Sequence, residues 1–349
     1  MMPSRINLML KYLYRRATWN CRFCSTIPHA TNEKDPAPLF FDQHVQELLT
    51  TLTRMDYRKV FAARKDGTPL EVPKFKFMTD EELQAARSKI GAKARGRIQM
   101  PPVVRMRSNQ VRVISEDPAV QGYDSHNYVF TDISFGSNNR DRLIVVRDPN
   151  GVLRHANCDE RHRMNQVYFP VQGREIHSPQ MFSKPYFDDL LERGEFKFIL
   201  DRACVQFEPD DPEYHRVARE VYSYVNKCKQ FDALRSSRHF GPFTFYLAWE
   251  NNISALLLDV IDSENIEEAA ALIRLYQKVH PDAKSAAEPI LDDVELIKIY
   301  AEQDSSERHA ITRAIHRYET MQKEKGKIEK GVKEAHGLID ETDGEAPKT

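Results

Sequence analysis

The sequence has 349 residues, 41% of them hydrophobic, and a formal net charge of −1 at pH 7. This is enough apolar material for one large domain or two ordinary domains with a buried core. With only 13 glycines and 19 prolines, the composition excludes a collagen-like or an extended low-complexity chain.

The N-terminus is basic, because its first 32 residues contain five Lys or Arg and no Asp or Glu. On a helix, Lys11, Arg15 and Arg22 would share one face while apolar residues share another. An acid-free, basic, amphipathic N-terminus is typical of a mitochondrial transit peptide, which we assign to residues 1–27. A disordered basic tail is the alternative.

Residues 28–100 are predicted to hold a proline-rich linker, two helices and a basic segment. Apolar residues recur at helical spacing over Phe41–Met55. The second helix begins at a capping box, with Thr79 as the N-cap and Glu82 three residues later, and extends to about Arg97.

Residues 101–180 are predicted to form a small α+β domain. Three segments have the β-branched and aromatic composition of strands: Tyr128–Ser134, Arg142–Arg147 and Val152–Ala156. The turn Asp148–Gly151 joins the last two into an antiparallel β-meander. The apolar run Leu143–Val146 does not alternate, so we expect this strand to be covered on both faces. Asn157 then caps a helix that extends to Tyr168.

Residues 181–325 contain only helical patterns and are predicted to form an all-α domain. One helix is marked by Asp211 as its cap and Pro212 at its first position. No clean repeat establishes a solenoid family. Residues 326–349 are expected to be a disordered charged tail. The expected fold class is α+β: a small central antiparallel β-meander with flanking helices, followed by an all-α helical-hairpin array.

Enzyme motifs are absent from the sequence. No G-x-G-x-x-G, H-E-x-x-H or G-x-S-x-G occurs. The glycine spacing of Gly91–Arg97 is that of a phosphate-binding loop, but Arg97 stands where that loop needs Lys, and Ile98 where it needs Ser or Thr. We therefore expect no catalytic residue, no cofactor and no small-molecule substrate.

Metal and membrane sites are not indicated either. His155, Cys158 and His162 are suitable metal ligands, but no nearby residue completes a set of four, and Cys21 and Cys24 lie inside the predicted transit peptide. The most apolar stretch, ten residues from 240 to 249, is too short to span a bilayer, which needs about 20.

Electrostatics give the strongest functional pattern. The basic segment, Leu83–Arg112, contains no acid and eight cations: Arg87, Lys89, Lys93, Arg95, Arg97, Arg105, Arg107 and Arg112. Such a run suits the regularly spaced phosphates of RNA, although a solvated helix face followed by a basic edge strand would also produce it. The segment Leu234–Gly241, with Arg235 and Arg238, is a weaker candidate; a helix end is the alternative.

Acidic residues outnumber basic residues from Ala255 to the C-terminus, which favours protein contacts there. Seven short motifs in a fixed order also resemble those of the S-twenty-two proteins of the animal mitochondrial small ribosomal subunit, over about Phe40 to Tyr300. They are MPP at Met100, YVFTDIS at Tyr128, VVR at Val145, QVYFP at Gln166, QFEPD at Gln206, LRSSR at Leu234 and HPD at His280.

The resemblance implies a non-catalytic structural constituent of the mitochondrial ribosome, located in the matrix. Its partners would be small-subunit rRNA and other small-subunit proteins. It supplies no signature for RNA-contacting residues, so the basic segment rests on charge alone. Two other functions stay open from the sequence: a matrix RNA-binding factor in translation or RNA processing, and a matrix enzyme with an unrecognised site.

Overall fold

The computed structural model describes residues 35–62, 72, 75–108, 111–122, 124–139, 141–286 and 292–336. The predicted transit peptide, the Cys21–Cys24 pair and the last part of the predicted tail lie outside the described residues. Within them the chain forms 13 α-helices and a four-stranded antiparallel sheet, so the predicted α+β class is confirmed.

Four helices precede the strands in the sequence, and nine follow them. In chain order they are α1 (Ala37–Phe40), α2 (Gln43–Thr53), α3 (Tyr57–Val60), α4 (Asp80–Arg97), α5 (Cys158–Tyr168), α6 (Tyr186–Glu192), α7 (Phe196–Gln206), α8 (Pro212–Cys228), α9 (Phe240–Trp249), α10 (Ser254–Asp262), α11 (Ile266–Val279), α12 (Asp293–Gln303) and α13 (Arg308–Ala335).

Local capping explains where several helices begin. The box predicted at Thr79 and Glu82 is present at the start of α4, and a second box joins Asn157 to Glu160 at the start of α5. Asp211 accepts from a backbone N–H of α8. These side chains satisfy N–H groups that have no partner inside the helix, which is why the sequence predicts these starts.

The sheet has the strand order β1-β4-β3-β2. Its strands are β1 (Val113–Glu116), β2 (Tyr128–Thr131), β3 (Ile144–Arg147) and β4 (Val152–His155). Strands β2 to β4 form the predicted meander. Strand β1, which the sequence indicates only as an extended segment, adds to the free edge of β4. Gly151 closes the β3–β4 turn at φ +81° and donates to the carbonyl of Asp148.

The expectation that β3 is covered on both faces is wrong. Its burial alternates: Ile144 and Val146 are buried, whereas Val145 is half-buried and the preceding Leu143 is 54% exposed. The other face of the sheet stays open, and Phe130 on β2 is also 54% exposed there. A short apolar run therefore does not distinguish a strand buried on both faces from one with an exposed apolar face.

The main core lies in the helical half and includes the N-terminal helix α2, which packs against α9 and α11. Leu257 on α10 and Tyr276 on α11 are both buried in this core. Consecutive helices contact each other from α10 to α13, as in an array of hairpins. Residues 326–335, predicted to be disordered, are instead helical, because α13 continues to Ala335.

Candidate nucleic-acid interface

Helix α4 carries five of the eight cations of the basic segment, and it is mostly solvated. Only Gly91 and Ala94 are buried along its 18 residues. Even its apolar residues Leu83 and Ile90 are 41% and 48% exposed. The sequence explains this, since α4 has no continuous apolar stripe with which to pack into a core. Most of the helix surface is thus available to a partner.

Four cations of α4 are exposed: Arg87, Lys89, Lys93 and Arg95. The acidic residues of the helix, Asp80, Glu81 and Glu82, are confined to its first turn. Acids at the N-terminal end and bases at the C-terminal end both favour the helix dipole. This arrangement separates the charges along the helix and leaves its C-terminal part positively charged.

Arg97 is the half-buried cation at the C-terminal end of α4, and it packs against α3 and the residue after it. Its guanidinium lies 4.8 Å from the ring centroid of Phe61, and its Nη1 donates to the carbonyl of Val60 at 3.3 Å. A cation above an aromatic ring, together with a hydrogen bond, fixes the end of α4 against α3. Arg97 therefore has a structural role that the charge pattern does not reveal.

The chain after α4 lies against the helical half. Met100 packs on the core close to Gly241, where an added Cβ would lie 2.1 Å from the Met100 sulfur. Val104 is buried and Arg105 is half-buried. Arg107 forms an ion pair with Asp210, with Nη2 2.7 Å from Oδ2. Residues 100–107 thus form a strap that is held by packing and by an ion pair.

Arg112, the last cation of the basic segment, is exposed beside the sheet. Its carbonyl accepts the backbone N–H of His155 at 2.9 Å. The structure therefore groups Arg87, Lys89, Lys93 and Arg95 on one helix, and it places Arg107 and Arg112 on the strap and the sheet edge. The candidate interface is the exposed surface of α4.

The weaker candidate, Leu234–Gly241, is a structural connection, and it leads into α9 instead of ending a helix. Arg235 is buried and pairs with both Asp259 and Glu268, while Arg238 pairs with Asp201. The backbone N–H of Ser236 donates to the carbonyl of Thr53 at 2.9 Å, which ties α2 to this segment. Its arginines are thus committed to carboxylates within the fold.

A polar pocket lies where α5 meets the strap and the loop before α8. Its lining includes Cys158, Arg161, His162 and Asp211. Burial, together with the nearby Arg107 guanidinium, lowers the pKa of Arg161 to about 10, and burial raises the pKa of Asp211. No group of three or more His, Cys, Asp or Glu is arranged for a metal ion within the described residues. The pocket is therefore a polar contact between α5, the strap and the loop before α8.

No helix among the described residues has both the length and the apolar character needed to cross a bilayer.

Comparison with known proteins gives consistent matches over most of the chain. A family model described as mitochondrial 28S ribosomal protein S22 matches residues 38–281. Small ribosomal subunit protein mS22 of Mus musculus is 34% identical over 303 residues, which is 86% of this chain and 84% of that protein. The Bos taurus protein of the same description is 34% identical over 302 residues, with the same coverage.

These matches confirm the resemblance carried by the seven short motifs. The family model covers the basic segment, the sheet and the helices up to α11, which is more than half of the chain. The chain belongs to the mitochondrial 28S ribosomal protein S22 family.

Proposed function

We propose that this protein is a structural constituent of the mitochondrial small ribosomal subunit that bridges rRNA and neighbouring ribosomal proteins. Its role is non-catalytic and is exercised in the mitochondrial matrix, without a cofactor or a small-molecule substrate. Family membership supports the ribosomal assignment. The four exposed cations of α4 carry the RNA contact, and the acidic helical half faces protein neighbours.

The exposed surface of α4 suits RNA for two reasons. Arg and Lys displace the counterions condensed on phosphates, and Arg also donates two hydrogen bonds to one phosphate group. In addition, α4 is anchored to the fold through Gly91, Ala94 and Arg97, which are separate from the exposed cations proposed to contact RNA. The proposal therefore separates the residues that bind RNA from those that position α4.

Charge reversal on α4 tests the RNA contact. The variant carries Arg87→Glu, Lys89→Glu, Lys93→Glu and Arg95→Glu. A matched control reverses four exposed cations of the helical half: Lys184, Arg219, Lys227 and Lys278. Both variants change the net charge equally and should melt like the wild type, since surface changes usually shift stability by less than about 0.5 kcal/mol.

The measurement is sedimentation of the tagged full chain in mitochondrial lysate over a range of salt concentrations. The α4 variant should leave the small subunit at lower salt than the control. Each lost phosphate contact lowers the slope of log affinity against log salt by about 0.7 for single strands or 0.9 for duplex. Equal salt release for the two variants would remove α4 as the RNA contact, and failure of the wild type to sediment with the small subunit would contradict the ribosomal role.

A further inference from the structure

The long helix α13 carries an apolar stripe that is buried in its first part and exposed in its second. Ile311, Ala314 and Ile315 are buried, and α13 packs there against α10 and α12. The stripe continues at the same helical spacing through Met321, Ile328 and Val332, which are 37%, 66% and 50% exposed. The body of the protein therefore covers only part of the stripe.

The contact between α13 and the body ends near Lys325. Arg317 pairs with Asp262, and Lys325 pairs with Glu264, both at the C-terminal end of α10. The Lys325 pair is the last ion pair between α13 and the body among the described residues. Residues 326–335 continue the helix into solvent. Residues 326–335 form the overhang of α13.

The overhang is a poor helix by itself. It contains two glycines, Gly326 and Gly331, and each costs about 1 kcal/mol relative to Ala in a helix interior. Each residue added to the end of an existing helix gains little free energy in water, so an end that contains glycines frays easily. Residues 326–335 are also rich in charge and poor in apolar side chains, a composition that favours disorder. A partner that packs on the exposed apolar stripe would explain why this segment is helical, because burial of the stripe offsets the conformational entropy lost on ordering.

Charges around the stripe define the partner. Met321, Lys325, Ile328 and Val332 take the alternating three- and four-residue spacing of a heptad seam. Glu324 and Glu329 flank this seam on its two sides, where charges across a helix pair set partner choice. Lys323, Lys327 and Lys330 lie on the opposite face of the helix at 100° per residue.

These charges argue against two other occupants. In a parallel pair, a second copy of this chain would place Glu324 of one helix against Glu329 of the other, which is unfavourable. RNA would have to approach Glu324 and Glu329, which repel phosphate. The one cation of the seam, Lys325, is already paired with Glu264. A protein helix with basic residues beside its own apolar stripe satisfies both the apolar and the acidic features.

We infer that the stripe of α13 from Met321 to Val332 is a docking surface for an amphipathic helix whose apolar face is flanked by Lys or Arg. The inference rests on the proposed function only in taking the natural partner to be a protein of the small subunit. The surface forms a short two-helix seam that extends the last hairpin of the array. Docking orders the overhang, because the partner buries Ile328 and Val332.

The test uses synthetic peptides as probes against the purified full chain. One peptide of about three heptads has Leu and Ile in its seam and Lys at the flanking positions, and the matched peptide has Glu there. Fluorescence anisotropy measures the affinity of each. The Lys-flanked peptide should bind at least about tenfold more tightly than the Glu-flanked one. Glu324→Lys with Glu329→Lys should reverse this preference.

Two further variants separate the stripe from the back of the helix. Ile328→Asp with Val332→Asp should reduce binding of the Lys-flanked peptide by at least about tenfold, since it places carboxylates in the seam. Lys327→Ser with Lys330→Ser should change it by less than about twofold. All four positions are exposed, so each variant should melt like the wild type.

Three outcomes would overturn the inference. Equal binding of the two peptides, or binding of neither, would exclude a basic partner helix. Loss of affinity for a single-stranded RNA in the Ile328→Asp, Val332→Asp variant would make the stripe an RNA contact. A dimer in sedimentation equilibrium that this variant abolishes would make it a self-contact. The assays contain no ribosome, so they succeed or fail independently of the RNA contact of α4.

Discussion

Arg107 donates from Nε and Nη2 to the same carboxylate oxygen of Asp210, at 3.0 and 2.7 Å, and its backbone N–H donates to the Asp210 carbonyl at 2.8 Å. The Asp210 side chain is 7% exposed. A cation of the basic segment is therefore used to hold the strap on the helical half. Charge in a sequence does not distinguish this role from RNA binding, whereas the effect of a mutation does.

Replacement of Arg107 should therefore lower stability before it affects RNA. Arg107→Ala leaves the buried Asp210 carboxylate with fewer donors, and we expect the free energy of unfolding to fall by about 1–3 kcal/mol. Arg87→Ala should change it by less than about 0.5 kcal/mol. Denaturant unfolding of the two variants provides the comparison. If Arg107→Ala unfolded like Arg87→Ala, the ion pair would contribute nothing to the strap.

Gly151 should be the least replaceable glycine of the sheet. Its φ is +81°, and an added Cβ would lie 2.2 Å from the carbonyl oxygen of Asp117. Gly122, with φ +71° and nothing within 4 Å of an added Cβ, is the matched control. Gly122→Ala should cost about 1 kcal/mol of backbone strain, whereas Gly151→Ala adds the clash and should cost clearly more.

Melting temperatures of these two glycine variants measure the difference. A larger drop for Gly151→Ala shows that the β3–β4 turn and the Asp117 backbone are packed as described. Equal drops would mean that the chain near Asp117 moves away at no cost, which would contradict the tight contact between this segment and the turn.

The buried arginine before α9 should be important for the helical half. Arg235 is 7% exposed, pairs with Asp259 at 3.1 Å and Glu268 at 3.3 Å, and lies above the Phe240 ring. Arg235→Ala removes the cation between these acids, and we expect a loss of about 3–5 kcal/mol. Arg193→Ala breaks the exposed pair with Asp189 and should cost about 0.5 kcal/mol or less.

Denaturant unfolding distinguishes these outcomes. Removing the negative charge of the partner Glu268 provides a further check. Glu268 also pairs with Arg54, the residue that follows α2. Glu268→Gln combined with Arg235→Ala should be less destabilising than the sum of the single changes, because the two residues interact. Additive losses would show that Arg235 and Glu268 do not depend on each other.

Local signals in the sequence predict much of the fold. The capping boxes at Thr79 and Asn157 need only a residue three positions away, so they can be read without tertiary structure. The turn at Asp148–Gly151 and the cap at Asp211 are local in the same way. Each of these features is satisfied by backbone groups within one turn.

Features that depend on distant partners are not predictable in this way. Arg107 and Asp210 are 103 residues apart, and Arg54 and Glu268 are 214 apart. Strand β1 has little pattern of its own and forms only because β4 offers it a free edge. In the sequence the eight cations form a single basic segment. In the fold their environments differ, from exposed on α4 to ion-paired on the strap.

His239 gives the protein a predictable dependence on pH. The side chain is fully buried, and its Nε2 lies 2.9 Å from Asp201 Oδ1. Burial lowers the pKa of His239 below its ordinary value, more than Asp201 raises it, and Arg238 and Lys197 act in the same direction as burial. Its Nδ1 is buried with no hydrogen-bond partner among the described residues, so protonation there would bury an unsatisfied cation.

The direction of this pH dependence follows from which state of the chain binds the proton more readily. Below a pH of about 6.5 the unfolded chain protonates this histidine, while the folded chain does so only at its lower pKa. The stability that His239 contributes is therefore complete above about pH 6.5 and is lost as the pH falls towards the folded pKa. Where the two states differ by one proton, the free energy of unfolding falls by about 1.4 kcal/mol per pH unit.

Denaturant unfolding at a series of pH values from about 7.5 to 5.5 tests this dependence. We expect His239→Gln to be less stable than the wild type at every pH, so the quantity compared is the slope of the free energy of unfolding against pH. The slope should be smaller in the variant, by up to about 1.4 kcal/mol per pH unit. His215, whose pKa is also lowered by burial, remains in both chains and does not affect the comparison. Parallel slopes for the two proteins would show that His239 takes up its proton equally well in the folded and unfolded chains.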